Sequence, residues 1–303
     1  MWKKTLILFH LVLLSSIPVV AQLGDRQHRR AGIVEGNSTQ TAFTNWGVIG
    51  QPAEQGRRGA WKYYTNGYIG DASIFLGIEF PIRDYNGNGI PDTVHSVITC
   101  PVARPTIRRD EDPVTGKSWT FEPRPGFFAP APNQSVAISN RPETWPAIWP
   151  DHPEWGSGVW NGLYGPNVFV GSQETYFQMD DQNDEHYNFA QNNPRGIAFH
   201  PDSTNLARYG AAISLGVRYI QVSHPLFKDI LFRVFDIKNE SKVRYPKVVF
   251  GTLTGTYIGV TSTEGVGEYD DDVAVYFASS NSILSWDFDN DATRNPRWQG
   301  PVG

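Results

Sequence analysis

Three stretches in the second half of the chain decide the fold: residues 211–223 (AAISLGVRYIQVS), 229–239 (DILFRVFDIKN) and 247–260 (KVVFGTLTGTYIGV). Each is rich in β-branched and aromatic side chains, which suit a pleated, half-buried surface. Short polar runs, HPLFK and ESKVRYP, separate them, and residues 272–278 (DVAVYFA) follow after TSTEGVGEYD. Strands in series with such turns predict a mostly β chain with an antiparallel, β-sandwich-like fold. The alternation is imperfect, which predicts some strands buried on both faces.

Upstream, residues 68–82 (YIGDASIFLGIEFPI) read as one or two strands, and residues 93–99 (TVHSVIT) as another. Residues 22–36 are polar and basic and read as a loose leader. Residues 101–166 are dense in Pro, Trp and Gly and read as a long structured excursion with few regular elements. The tryptophans there argue against disorder. The chain thus divides into an N-terminal β-rich region (22–100), a Pro/Trp-rich excursion (101–166) and a β-sandwich-like region (167–303), open to a continuation beyond Gly303. There is no internal repeat and no heptad pattern.

Residues 1–21 carry a signal-peptide pattern. Lys3 and Lys4 precede an almost wholly apolar run, residues 5–20, and Ala21 offers a small residue for cleavage. The run is short for a membrane span and is interrupted by His10 and Pro18. No cysteine follows it, which argues against a lipid anchor, and no later stretch is long and apolar enough to cross a membrane. Cleavage removes two lysines and no acid, taking the net charge from −5 to −7. That balance argues against nucleic acid as the main partner. The lone Cys100 precludes an internal disulfide and reads as a small buried apolar residue.

The best chemical lead is residues 83–92, RDYNGNGIPD. Calcium takes six to eight oxygen ligands. Alternate side chains on a curled loop converge, and a glycine in the sixth position permits the sharp turn. The expected ligands are Asp84, Asn86, Asn88, the Ile90 carbonyl and Asp92. The segment resembles the calcium loops of thrombospondin type 3 repeats and, more loosely, those of EF-hand and dockerin domains. It departs from the EF-hand at position twelve, where His95 replaces the bidentate Glu. An Asn-Gly turn between strands is the simpler alternative.

Other acidic runs are MDDQNDEH (179–186), EYDDD (268–272) and DFDND (287–291). Packed carboxylates are solvated, paired or bridged by a cation. Asp270, Asp272, Asp287, Asp289 and Asp291 form the best second metal candidate. Paired carboxylates also fit glycoside hydrolysis, but nothing selects an acid and a base. Residues 144–164 hold Trp145, Trp149, Trp155 and Trp160. These rings either stack on sugars or pin the Pro-rich loop to the sheet by burying large area. No G-x-S-x-G, H-E-x-x-H or P-loop pattern occurs.

Several short motifs, NWGVIGQP (45–52), GYIGD (67–71), TCPVARP (99–105), MDDQNDE (179–185), GTYIGV (255–260) and EYDDD, resemble large secreted bacterial proteins. Many of that group carry a C-terminal sorting domain of the type IX secretion system, which is lacking here. The resemblance implies export to the surface or medium and supplies no catalytic residues. The leading expectation is therefore a secreted, β-rich protein with structural calcium that adheres to glycan or to another surface protein. A secreted polysaccharide hydrolase and a purely structural module of a larger chain are the alternatives.

Overall fold

The computed structural model describes residues 23–51, 58–61, 66–84, 86–100, 119–131, 135–184, 199–260 and 272–287. The signal-like segment, Asp270, Asp289 and Asp291 lie outside them. The described chain is mostly β, with several antiparallel sheets and, for helix, only short 3-10 turns. No described helix is long and apolar enough to cross a membrane.

The first sheet takes its strands from both ends of the chain. β1 (Ala31–Val34), β2 (Thr39–Thr44), β3 (Ala60–Trp61), β4 (Asn66–Pro81) and β13 (Lys247–Val260) lie in that order, and β5 (Thr93–Thr99) also pairs with β4. The second sheet runs β12 (Leu231–Asn239), β11 (Ile213–Gln221), β10 (Phe177–Asp180) and β6 (Glu122–Pro123), with β9 (Gln173–Glu174) on β11. Two hairpins stand apart: β7 (Asn161–Gly162) with β8 (Gly165–Pro166), and β14 (Asp272–Phe277) with β15 (Ser282–Asp287).

Within the segment read as a loose leader, residues 23–36 are structured, contrary to that reading. Its polar composition hides two anchors: Gly24 N–H donates to buried Asp180 at 3.1 Å, and β1 pairs along its length with β2. The stretch 68–82 forms one long strand. Ala72, Ile74, Leu76, Ile78 and Phe80 alternate into the interior, as the period of two requires. β13 runs antiparallel along β4, so the sequence regions 22–100 and 167–303 share one sheet.

The core lies between the two sheets. Phe43 of β2 meets Tyr219 of β11 there edge-to-face at 5.5 Å, while at the margin half-buried Phe235 of β12 meets exposed Phe250 of β13 at 5.2 Å. Cys100 is free and buried in the core. Gly47 has φ +85°, and a Cβ added to it would sit 2.7 Å from Cys100 Sγ and 2.9 Å from Met179 Cε. Both backbone conformation and space therefore demand glycine at this point.

Candidate functional site

The residues 82–92 cap the β4–β5 hairpin, whose neck is closed by Ile82 N–H donating to the Asp92 carbonyl at 2.9 Å. Past the neck the backbone curls around Asp84. Its Oδ1 accepts from Gly87 N–H at 2.6 Å and Asn88 N–H at 3.2 Å, and its Oδ2 accepts from Gly89 N–H at 2.7 Å. Gly87 and Gly89 have φ +75° and +82°, with open space where a Cβ would lie, so conformation alone selects glycine there. Asn86 and Asn88 each accept from the N–H two residues on, and Asn86 Nδ2 donates to Asp92 Oδ1. The Ile90 side chain points to solvent, 65% exposed.

Four expected ligand side chains thus belong to one curled loop. Hydrogen bonds from Gly89 first, then from Gly87, Asn88 and Asn86, hold the Asp84 carboxyl below its ordinary value of 3.8. The donor set is two carboxylates, two amides and a backbone carbonyl, all hard oxygens that suit calcium. Asp84 Oδ1 is filled by two N–H groups, whereas Asp84 Oδ2 and the Asn86 and Asn88 oxygens each accept one of the N–H groups named above, so these are the oxygens that could hold the ion. Asn86 turns its nitrogen toward Asp92 and must present oxygen instead to ligate. Among the described residues no three His, Cys, Asp or Glu side chains gather as a metal site. A cation in the hairpin therefore relies on the asparagines and the carbonyl.

Of the second metal candidate, the structure places Asp272 directly across from Asp287 in the β14–β15 ladder. Asp272 Oδ2 accepts from Ile258 N–H at 3.2 Å.

The acidic run that begins at Met179 behaves differently. Asp180 and Asp181 are fully buried at the end of β10. Asp180 accepts from Arg124 Nε at 2.7 Å, and the same guanidinium grips Glu240. Asp181 accepts from Arg208 Nη2 at 2.7 Å, Ala211 N–H at 2.7 Å and Ile213 N–H at 3.0 Å. Glu122, beside them on β6, takes both ends of the Arg29 guanidinium. Burial raises Glu122, opposed by Arg29, and pushes Asp181 up to about 6, opposed by Arg208. This is a buried arginine–carboxylate belt that ties the chain start, β6, β10, β11 and β12 together. Sequence reading missed Arg124 and Arg208, which lie 56 and 27 residues from their aspartates and leave no local signal.

The tryptophans divide as well. Trp149 and Trp160 are buried in the core, edge-to-face at 5.6 Å. Trp145 is half-buried against Trp160 and donates to the Ile138 carbonyl at 2.7 Å. Trp155 is half-exposed and stacks flat on His152 at 3.8 Å. Buried rings have no face to offer a sugar, so Trp149 and Trp160 act as pins for the excursion. Beneath them Asp151 accepts from Tyr176 Oη at 2.6 Å, and Arg218 lies 3.9 Å over the Tyr176 ring.

The motif NWGVIGQP (45–52) has a structural use at its start. Asn45 accepts from Arg30 N–H at 2.7 Å and donates to the His28 carbonyl, and Trp46 packs under the Arg29 guanidinium. No protein family, curated protein or solved structure matches this chain.

Proposed function

We propose that this protein is exported and works at the cell surface or in the medium as a β-sandwich-like binding module whose β4–β5 hairpin is braced by calcium. The observation that carries the reading is the Asp84 carboxylate, which accepts three backbone N–H groups inside a D-x-N-x-N-G loop with Asn86, Asn88 and Asp92 beside it. The three-part pattern of residues 1–21 and the resemblance to type IX-secreted bacterial proteins support export. A net charge of −5 on the whole chain favours glycan or protein over nucleic acid as partner.

An adhesive role is favoured over hydrolysis by the fate of the carboxylates around β10. A glycosidase needs two carboxylates about 5–10 Å apart with access to substrate. Asp180, Asp181 and Glu122 are buried on arginines instead. The decisive experiment is a thermal melt of the mature chain in calcium and in chelator. Stabilisation by calcium that Asp84→Ala abolishes is the expected result. An unchanged midpoint reduces the hairpin to an Asn-Gly turn.

A further inference from the structure

At one end of the sandwich, β2, β3 and β4 face the start of β12 across a cleft of about 520 Å³. Small-molecule sites typically fall at roughly 300–1,000 Å³ and combine apolar walls with a few polar anchors. Ile49, Ile69, Ala72 and Leu231 supply apolar wall here. Trp61 and Tyr68 line it too, edge-to-face at 6.4 Å and 75°.

Arg233 lines the same cleft. It lies two positions from both Leu231 and Phe235, which pack on the core, so it shares the inward side of β12 with them. Its Nη1 is buried without a hydrogen-bond partner among the described residues, and the guanidinium lies 5.9 Å from the centre of the Phe235 ring. Arg29, Arg124, Arg141 and Arg208 each hold a carboxylate, whereas Arg233 forms no salt bridge among the described residues. A buried guanidinium nitrogen without an acceptor is costly. The acid in the cleft lining, Asp229, already has donors: it accepts from Trp61 Nε1, also in the lining, at 2.7 Å and from Lys228 Nζ at 3.0 Å.

We propose that this cleft binds a small organic monocarboxylate with an apolar body. The carboxylate pairs with the Arg233 fork, the geometry that guanidinium favours, once Nη1 turns from its closed position into the cleft. The body lies against Ile69, Leu231 and the Trp61–Tyr68 pair. A single guanidinium, with Asp229 negative nearby, selects one charge over the nearly two of a phosphate monoester.

The test is calorimetric titration of the full mature chain with 3-phenylpropionate, indole-3-acetate and hexanoate, each beside its matched alcohol. Runs in calcium and in chelator separate this result from the hairpin's. At least one acid is expected to bind with saturation and about tenfold tighter than its alcohol. Arg233→Met removes that tenfold difference, and Trp61→Ala weakens acid and alcohol together. Equal binding of acid and alcohol, acid binding that survives Arg233→Met, equal competition by inorganic phosphate, or no saturable binding of any acid by about 10 mM each overturns the proposal. Should Arg233→Met fail to fold, the acid–alcohol contrast on the unmodified chain decides.

Discussion

The hairpin of residues 82–92 and the run that begins at Met179 are both acidic and amide-rich, yet they end in opposite environments. At the end of β10, arginines reach the carboxylates from distant segments, and the pairs sink into the core. At the tip of the β4–β5 hairpin the Asp84 carboxylate has, among the described residues, backbone N–H groups for partners and stays in solvent. A carboxylate with a protein cation at hand is used up structurally. One without remains available to a soluble cation. The comparison teaches that the useful question about an acidic run is where its counter-charge comes from.

The strongest way to break this comparison is Asp181→Ala, which leaves Arg208 buried without its acid. Stranding one partner of a buried pair costs about 3–5 kcal/mol. Denaturant unfolding is expected to show a loss of that size. A loss below about 1 kcal/mol would mean that the belt is solvated after all. Trp149→Ala should cost a similar amount, about 3–5 kcal/mol, as deletion of a large core ring does. Trp155→Ala should cost far less, and equal losses would dissolve the distinction between pin and surface ring.

The pH dependence sharpens the contrast because the two sites differ in sign. Asp181 is raised from 3.8 to about 6, so the folded state holds its proton more tightly than the unfolded chain does. Its contribution to stability is largest in acid and is lost as pH rises from about 4 to about 6, worth roughly 3 kcal/mol by linkage. Asp84 is lowered, so its contribution is present above its ordinary value of 3.8 and is lost as pH falls below that. Melts from pH 3 to 8 on the unmodified chain and on Asp181→Asn should show the first slope disappear in the variant. A slope that survives assigns it to another group.

Calcium gives the next effect. An ion that binds only the folded state adds about 2.7 kcal/mol at a hundredfold excess over its dissociation constant. That gain is expected in the unmodified chain and in Trp155→Ala, and not in Asp84→Ala. The smallest expected effect is Asn86→Asp, which adds a carboxylate to the hairpin. It should tighten calcium while leaving the melt in chelator within about 0.5 kcal/mol. A weaker calcium response in this variant would argue that Asn86 does not face the ion.

Much of the β architecture was legible locally. The runs that became β4, β11, β12 and β13 announce themselves through β-branched and aromatic content, because strand formation answers to side chains a few positions apart. The glycine-punctuated hairpin tip was legible for the same reason: Asp84 satisfies its own neighbours' N–H groups. Residues 23–36 were misread because their order comes in part from Asp180, more than 150 positions from Gly24. The LFRVF run offered one usable hint, an arginine on the inward-facing period of a strand.

What the sequence determined by itself was therefore the strand-rich class, the polar turns, the calcium-type spacing and the absence of an internal disulfide. These follow from neighbouring residues and from composition. Only the tertiary structure decided that β13 joins β4 across most of the chain, that the acids at β10 meet Arg124 and Arg208, that Trp149 and Trp160 face inward, and that Arg233 lines a cleft with no salt bridge among the described residues. The physical reason is common to all four. Burial and counter-charge depend on which distant segments pack together, and that is set by the closing of the sandwich, not by any one of its strands.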